Sequence, residues 1–471
     1  MSQDPSYHIE KISESVLATK FEDIDETTVH IGKLRILDVI GCAVYGSMST
    51  ASKNLADLVT SWGGKKESTL LVFGGKVPAS NAAMLNSAVT RTTDYEAIGP
   101  LVEGADLPGH VSSTTVYTAL AMGEAQNASG KKLLTAMLVG DDVAARLLSA
   151  SGVLGGKNFE WGWDGNGTVN AFGGTAIAGH MLGLNKKQMK DAFGLIMNQM
   201  GSSFQNLWDY SLAAALTSAH SARNAICSAE MAKAGWDGPS DALFSRYGYF
   251  FLFTDGCANT DILTKDIGKK FYSEATFKPY PSCSTTHAAI DCALKFVSEH
   301  DIDASNIANV QIVLLPRMKT MFTAQQPFKV HDKNYQVFAE NSIAYSVATV
   351  LLRKEIKIDY LEEQYVRDPK VAAIASNSTI EDLEIEELKE KCAKLIVKMK
   401  DGKVHTTECN ITRGGYRDGL FTDDDVKNKF RYNLQYSKMF SKETTEKIID
   451  TVINLDKLDN VNELTKLLVK N

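Results

Sequence analysis

An acid, an imidazole and an ammonium group stand at three forced turns of this chain. Asp94 lies in Arg91-Thr92-Thr93-Asp94-Tyr95-Glu96, His110 in Leu107-Pro108-Gly109-His110-Val111-Ser112, and Lys278 in Phe277-Lys278-Pro279-Tyr280-Pro281-Ser282-Cys283. Each follows or interrupts an apolar helical stretch. A partly desolvated carboxylate can act as a base. An imidazole at a helix start can take or give a proton near neutral pH, and the helix-start amides attract a carboxylate. Pro279 restricts Lys278 to extended backbone and Pro281 stiffens the turn, so the ammonium is held where it can bind a carboxylate or stabilise an enolate. Taken singly, each has a plainer reading: Asp94 as a helix cap, His110 as a loop histidine, Lys278 as a solvated lysine. The chemical reading requires all three to meet at one cleft, and the chemistry it implies is removal of a proton next to a carboxylate.

Other constellations carry less. Cys283 and His287 stand four residues apart and can meet on one helix, but no third group orients them, so thiol nucleophilic chemistry is not expected. The cluster Gly162-Trp163-Asp164-Gly165-Asn166-Gly167-Thr168 contains neither GxGxxG nor GK[ST] and no strand precedes it, which argues against nucleotide binding. Trp161, Trp163 and Trp208 read as packing residues, with Trp163 and Asp164 also able to line a pocket. The seven cysteines form no CxxC pair, and their spacing fits neither a zinc site nor a disulfide framework. Reduced thiols, no metal and no cofactor are the expectation.

Elements must position these residues. The chain has 471 residues, 44% apolar and 23% charged, which suits a globular protein of two domains. A net charge of −7 argues against nucleic acid or an anionic membrane as partner, though not against an anionic substrate. The polar start Met1-Ser2-Gln3-Asp4-Pro5 has no apolar signal core, and runs such as 36–44 are too short to span a bilayer, so a cytoplasmic place is expected. Residues 1–269 read mostly as helix: 31–44, 82–89 just before Asp94, 115–125 with Ser112 or Ser113 as its N-cap, 133–148 with an Asp142–Arg146 pair, and two buried helices rich in small residues over 171–184 and 213–234. The pattern changes near Lys278. A strand at 309–315 and a hairpin of 395–399 and 404–411, with Asp401-Gly402 in a type I′ turn, alternate with helices at 286–297 and 342–352. Residues 270–412 therefore read as a smaller α+β domain. From Lys442 onward the chain returns to helix, and 413–471 is expected to pack on the helical domain.

These segments together resemble the MmgE/PrpD family, which contains 2-methylcitrate dehydratases, cis-aconitate decarboxylases and an iminodisuccinate epimerase. The matching pieces are Thr93-Asp94-Tyr95-Glu96, Pro108-Gly109-His110-Val111-Ser112, Ser129-Gly130-Lys131-Lys132-Leu133-Leu134, Gly235-Trp236-Asp237-Gly238-Pro239, Phe277-Lys278-Pro279-Tyr280-Pro281 and Thr286-His287-Ala288-Ala289-Ile290-Asp291. The resemblance implies a mostly α fold, a large all-helical domain with a smaller α+β lid domain inserted. It also implies a pocket between the domains for a small di- or tricarboxylate, a homodimer, and catalysis without metal or organic cofactor. Asp94, His110 and Lys278 fall on the family's active-site positions. Tyr95, Ser112, Asp164, Tyr280 and Ser282 are the candidate substrate-binding residues around them.

The chain also departs from the family pattern. A threonine of the decarboxylase branch becomes Ile98, and a histidine of the Gly-rich segment becomes Asp164 or a neighbour. A lysine that opens the central helix becomes Ala214, and a lid tyrosine becomes Phe322 or Thr323. A lysine on a substrate carboxylate is worth roughly 2–3 kcal/mol, so its loss makes a citrate-like tricarboxylate a poorer fit. The expected activity is that of a hydro-lyase of the 2-methylcitrate dehydratase kind. An isomerase or epimerase using the same proton abstraction is the alternative, and a carboxylate-binding homologue without catalysis the third.

Overall fold

A run of apolar residues at helical spacing buries itself only if neighbouring helices cover it, and the first half of this chain does so repeatedly. The structure, a computed structural model, describes residues 6–152, 161–316, 328–384, 392–410 and 419–470. Helix α1 (Glu26–Gly46) is buried along nearly its whole length, and its two buried charged residues, Arg35 and Asp38, both find partners. Arg35 forms a close ion pair with Asp141, and Asp38 accepts from the Ala97 amide at 2.8 Å. Around it pack α2 (Ala79–Arg91), α3 (Ser112–Ala125) and α4 (Gly130–Ala150), with α5 (Asn166–Leu182) against α3 and α4, and α6 (Leu216–Lys233) against α2, α3 and α5. The small residues do what their density implies. A Cβ placed on Gly173 of α5 would lie 2.7 Å from the Gly140 carbonyl of α4, so the two helices touch backbone to backbone. Asp142 and Arg146 of α4 pair at 2.7 Å, and the guanidinium also donates to the carbonyls of Ile262, Lys265 and Lys270. That is how a fully buried arginine is satisfied.

The chain then builds a second layer. It comprises α7 (His287–Glu299), β1 (Ile307–Leu314), α8 (Tyr335–Asn341), α9 (Ile343–Arg353), β2 (Ser378–Asp382), β3 (Ala393–Met399) and β4 (Val404–Cys409). The sheet order is β2-β1-β3-β4, with β1 and β2 parallel and the other pairs antiparallel. Helix α7 covers it, and α9 packs on α7. Finally α10 (Asp423–Ser437) and α11 (Lys442–Ile453) return to the helical layer, where α10 packs along α1.

Two large apolar cores and a small third one around Val59, Leu70 and Leu85 result. The first takes in residues from Ile9 to Phe277 and resumes with Phe421, Val426, Phe430 and Val452; the second takes in Cys42, Tyr45, Tyr95 and Tyr210 and then runs from Tyr280 to Met399. Phe277 belongs to the first and Tyr280 to the second, so Lys278 sits on the seam. The chain is thus mostly helical, with a large helical part and a smaller α+β part.

Several local expectations fail for identifiable reasons. Neither Ser112 nor Ser113 caps α3. Val111 is the N-cap and makes no side-chain bond, while Ser112 is already helical. The end is tied instead by Asn170, whose Nδ2 donates to the His110 carbonyl at 2.8 Å. The helix expected from Ala213 opens as a 3-10 turn, Leu212–Ala215, with Ser211 capping Ala213, and becomes α only at Leu216. At the hairpin only Gly402 of Asp401-Gly402 has positive φ, 92°, and its amide bonds the Met399 carbonyl at 3.0 Å. The loop is a three-residue one closed by a left-handed glycine, not a type I′ turn, which needs positive φ at both residues. Trp161 does not pack inside but is half exposed, whereas Trp163, though also partly exposed, stacks edge-on against Phe253 at 5.2 Å. The helical return starts at 423 rather than 442. Its first turn is three aspartates, and only Val426, Phe430 and Leu434, one stripe four residues apart, mark the buried face.

Candidate active site

Helix α2 stops because its last residues turn on themselves: the Thr92 and Thr93 hydroxyls donate to the Val89 and Thr90 carbonyls. Asp94 then adopts φ +38°, in the left-handed region that aspartate tolerates better than most residues. This reversal points its carboxylate back at Arg91, three residues earlier. Arg91 Nη1 donates to Asp94 Oδ1 at 2.7 Å and to Glu96 Oε1 at 2.6 Å. Two carboxylates are thereby held on one guanidinium.

His110 approaches the same group from the start of α3. A short backbone bridge sets its position, with the Gly99 amide donating to the Gly109 carbonyl at 3.1 Å, and the His110 amide donates to Asn166 Oδ1 at 2.7 Å. Its Nδ1 lies 2.9 Å from Glu96 Oε1 and its Nε2 3.7 Å from Asp94 Oδ1. Nδ1 also lies 2.8 Å from Arg91 Nη1, but the hydrogens of that nitrogen already serve the carboxylates at shorter range. The ring is therefore assigned as Nδ1–H donating to Glu96, which leaves the lone pair on Nε2. His110 is the one member of the group with appreciable access, its side chain 21% exposed.

Lys278 comes from the seam. It is 1% exposed, and its Nζ donates to both the carbonyl and Oδ1 of Asp94, at 2.7 and 2.9 Å. The three residues expected to meet, the outermost 184 positions apart, do so around one carboxylate oxygen. A fourth group fixes the two loops to each other. Lys429 of α10 donates to the Tyr95 carbonyl at 2.6 Å and the Lys278 carbonyl at 3.0 Å, and pairs with Asp38 at 2.7 Å. It also lies 3.8 Å from the centre of the Tyr95 ring.

Electrostatics follow from this packing. Burial works to raise Asp94, but Lys278, Arg91 and His110 outweigh it and hold the carboxyl well below its ordinary range. Burial likewise opposes ionisation of Glu96, and Arg91 and His110 bring it down to about 2. Both acids are carboxylates at neutral pH. Burial pushes His287 down to about 3, with Lys278 adding to the effect, so that ring is neutral. Its Nε2 meets the Ser282 carbonyl rather than Cys283, whose thiol burial raises. Neither is activated, in keeping with the low expectation for a thiol nucleophile.

The other candidates occupy different roles. Tyr95 reaches the Pro279 carbonyl at 3.5 Å, Tyr280 donates to Asp291 at 2.5 Å, and Ser282 bonds Thr286 at 2.7 Å. Tyr95 thus reaches across the seam, while the Tyr280 and Ser282 bonds stiffen the turn after Lys278. Ser112 is buried beside His110 in sequence. Asp164 accepts from both nitrogens of Asn166, the residue that holds the His110 amide, so it acts on the site through Asn166. Ile98 bridges to Thr276 by paired backbone bonds of 2.9 and 2.8 Å, and Ala214 lies in the 3-10 turn before α6. Positions 322 and 323 lie outside the described residues.

Sequence reasoning overlooked Arg91, Glu96, Lys429 and Glu340. The first two stood in the motif with Asp94, three residues before it and two after it, and their opposite charges were a usable signal. Lys429 and Glu340 carried none, being 335 and 246 positions from Asp94. Among the described residues Asp94, Glu96 and His110 are also a donor set that could hold a metal ion, their ligand atoms lying within 4.8 Å of one another. Arg91 and Lys278, however, already sit on those carboxylate oxygens, and a divalent cation would meet two like charges.

Comparison with known proteins agrees with this architecture. Residues 10–260 match the MmgE/PrpD N-terminal domain and residues 280–457 the MmgE/PrpD C-terminal domain. Human cis-aconitate decarboxylase is 23% identical, over 98% of this chain and 94% of the relative. The mouse cis-aconitate decarboxylase is 24% identical, over 95% and 91%. That of Aspergillus terreus (strain NIH 2624 / FGSC A1156) is 22% identical, over 96% and 94%.

Proposed function

The chain belongs to the MmgE/PrpD family, and from that premise we propose that it is a lyase acting on a small polycarboxylate without metal or organic cofactor. It removes a proton α to a carboxylate and eliminates water from the β carbon. The observation that carries this reading is the meeting of Asp94, His110 and Lys278, with His110 presenting an unencumbered Nε2. His110 Nε2 is the base, oriented through Nδ1 by the ionised Glu96, an arrangement that fixes the tautomer a base needs. Two of the three Lys278 hydrogens serve Asp94, and the third is the donor for the substrate carboxylate as it takes on enolate charge. Asp94 holds the ammonium in place. Arg91, Lys278, Asp94 and Glu96 together sum to no net charge, which suits a substrate with few carboxylates better than a strongly anionic one.

The curated relatives favour a second reading, loss of carbon dioxide from an unsaturated tricarboxylate, because those relatives are named cis-aconitate decarboxylases. Against it stands Ala214, which puts no cation at the start of α6. One experiment decides among the readings. The protein is incubated in heavy water with 2-methylcitrate, related hydroxy acids, small dicarboxylates and cis-aconitate, while alkene absorbance, released carbon dioxide and deuterium incorporation are followed. Alkene formation from a hydroxy acid, with deuterium wash-in, supports the hydro-lyase. Carbon dioxide release supports the decarboxylase, and deuterium exchange with neither product supports an isomerase. Binding without exchange leaves a non-catalytic carboxylate-binding protein, and an absence of alkene with every hydroxy acid ends the hydro-lyase reading.

A further inference from the structure

An elimination of water needs an acid as well as a base. The hydroxyl must leave with a proton, since hydroxide is a poor leaving group at neutral pH. The residues so far assembled do not provide one. Asp94 and Glu96 are ionised, and Lys278 is committed to Asp94. His110 acts as the base.

One carboxyl next to them has the opposite character. Glu340, on the lid helix α8, is 2% exposed, and no cation pairs with it among the described residues. Its Oε1 accepts from Gln336 Nε2 at 2.9 Å, and the same amide nitrogen donates to the Thr92 carbonyl at 3.0 Å, two residues before Asp94. Its backbone carbonyl accepts from the Cys283 amide at 2.8 Å, five residues after Lys278. Glu340 is therefore clamped to both site-bearing loops, and a single side-chain amide separates its carboxyl from the Asp94 turn. The charged groups around it are Asp94, Arg91 and Lys278, with Gln336 as its polar partner. Arg91 is bonded to Asp94 and Glu96, and Lys278 to Asp94, so neither cation pairs with Glu340.

We propose that Glu340 is the proton donor of this site, a carboxylic acid carried by the lid that protonates the departing hydroxyl. This rests on the lyase reading. His110 Nε2 takes the α hydrogen, and the C–H electron pair becomes the second bond of the alkene. The β C–O bond breaks with its pair on oxygen, which takes the Glu340 proton and leaves as water. Glu340 ends as a carboxylate and is reprotonated from solvent. Burial holds the Glu340 carboxyl well above its ordinary range, outweighing the Gln336 hydrogen bond, with Asp94 adding to the rise.

The test uses the full chain carrying Glu340→Gln, an uncharged group of the same shape. A carboxyl that is protonated in the fold but ionised when unfolded weakens the fold increasingly as pH rises above its unfolded value. The variant lacks that burden, so its melting temperature should rise relative to wild type between pH 5 and pH 8, by an amount that grows with pH. The infrared carbonyl band of a protonated carboxylic acid should be present in wild type at neutral pH and missing from the variant. Polycarboxylate binding should change less than threefold. Turnover should fall about 100-fold or more, the usual contribution of a general acid, while deuterium exchange at the α carbon persists. A missing infrared band, or a variant that keeps its turnover within threefold of an active wild type, overturns the proton-donor role alone. A wild type inert towards every hydroxy acid instead overturns the lyase reading, and this role with it.

Discussion

Removing Lys278 should cost more than removing it together with Asp94 adds. The ammonium is fully buried and gives Asp94 two hydrogen bonds, at 2.7 and 2.9 Å. Breaking a buried ion pair from one side typically costs about 3–5 kcal/mol, because a charge is left without its partner. In Lys278→Met the orphaned Asp94 keeps Arg91 at 2.7 Å, so the loss should sit near the lower end, about 3 kcal/mol. In Asp94→Asn the amide oxygen can still accept from the ammonium but carries no charge to offset its desolvation, which places that loss at about 4 kcal/mol. The double variant removes both charges and leaves an amide beside a thioether of similar bulk. Its loss should fall short of the two single losses added together by about 2 kcal/mol, within the range seen for contacting residues. Urea unfolding of the four proteins, followed by circular dichroism at neutral pH, measures this cycle. Losses that add to within about 0.5 kcal/mol would mean that the two side chains do not interact. The seam would then not be built as described here, and with it would fall the reason for a lysine at this turn.

Three further expectations can be checked. His110→Gln keeps the polar contact to Glu96 but offers no base, so α-deuterium exchange should drop about 100-fold or more while polycarboxylate binding by calorimetry stays within a few-fold. Glu96 has its carboxyl lowered from 4.5 to about 2 in the fold, so it stabilises the protein above pH 4.5 and that contribution is lost as pH falls from 4.5 towards 2. The difference of about 2.5 units corresponds to roughly 3 kcal/mol, and acid melting curves of Glu96→Gln should be flatter than wild type over that window. Lys429→Met strands Asp38 in the core and should destabilise by about 3–5 kcal/mol, with Asp38→Asn added to it restoring part of the loss. A melting temperature for Lys429→Met equal to wild type would show that α10 does not tie the Asp94 and Lys278 loops together.

Much of the architecture was legible because it depends on local rules. Apolar spacing marks α1 and α4 whatever they pack against, and the small residues of α5 announce close approach before any partner is known. The change from helical to alternating pattern near Lys278 marks the passage to the α+β part. Helix α10 was missed because its surface is so charged that its narrow stripe of Val426, Phe430 and Leu434 hardly alters the local composition. The caps were misjudged at α3 because a side chain from another helix, Asn170, performs the task that a local serine usually does.

By itself the sequence determined the chemistry on offer: a carboxylate, an imidazole and a lysine at rigid turns, in motifs specific enough to point to one family. Only the tertiary structure decided how those groups share their charges. Which carboxyls ionise depends on the cations that reach them, and those cations arrive from α2, the seam and α10. Thus cations hold Asp94 and Glu96 below the ordinary carboxyl range, while Glu340, equally acidic in the sequence, has no paired cation among the described residues and is pushed above it by burial. Burial opposes ionisation at all three, so the placement of the cations sets that difference, and that placement belongs to the packed chain rather than to any stretch of residues.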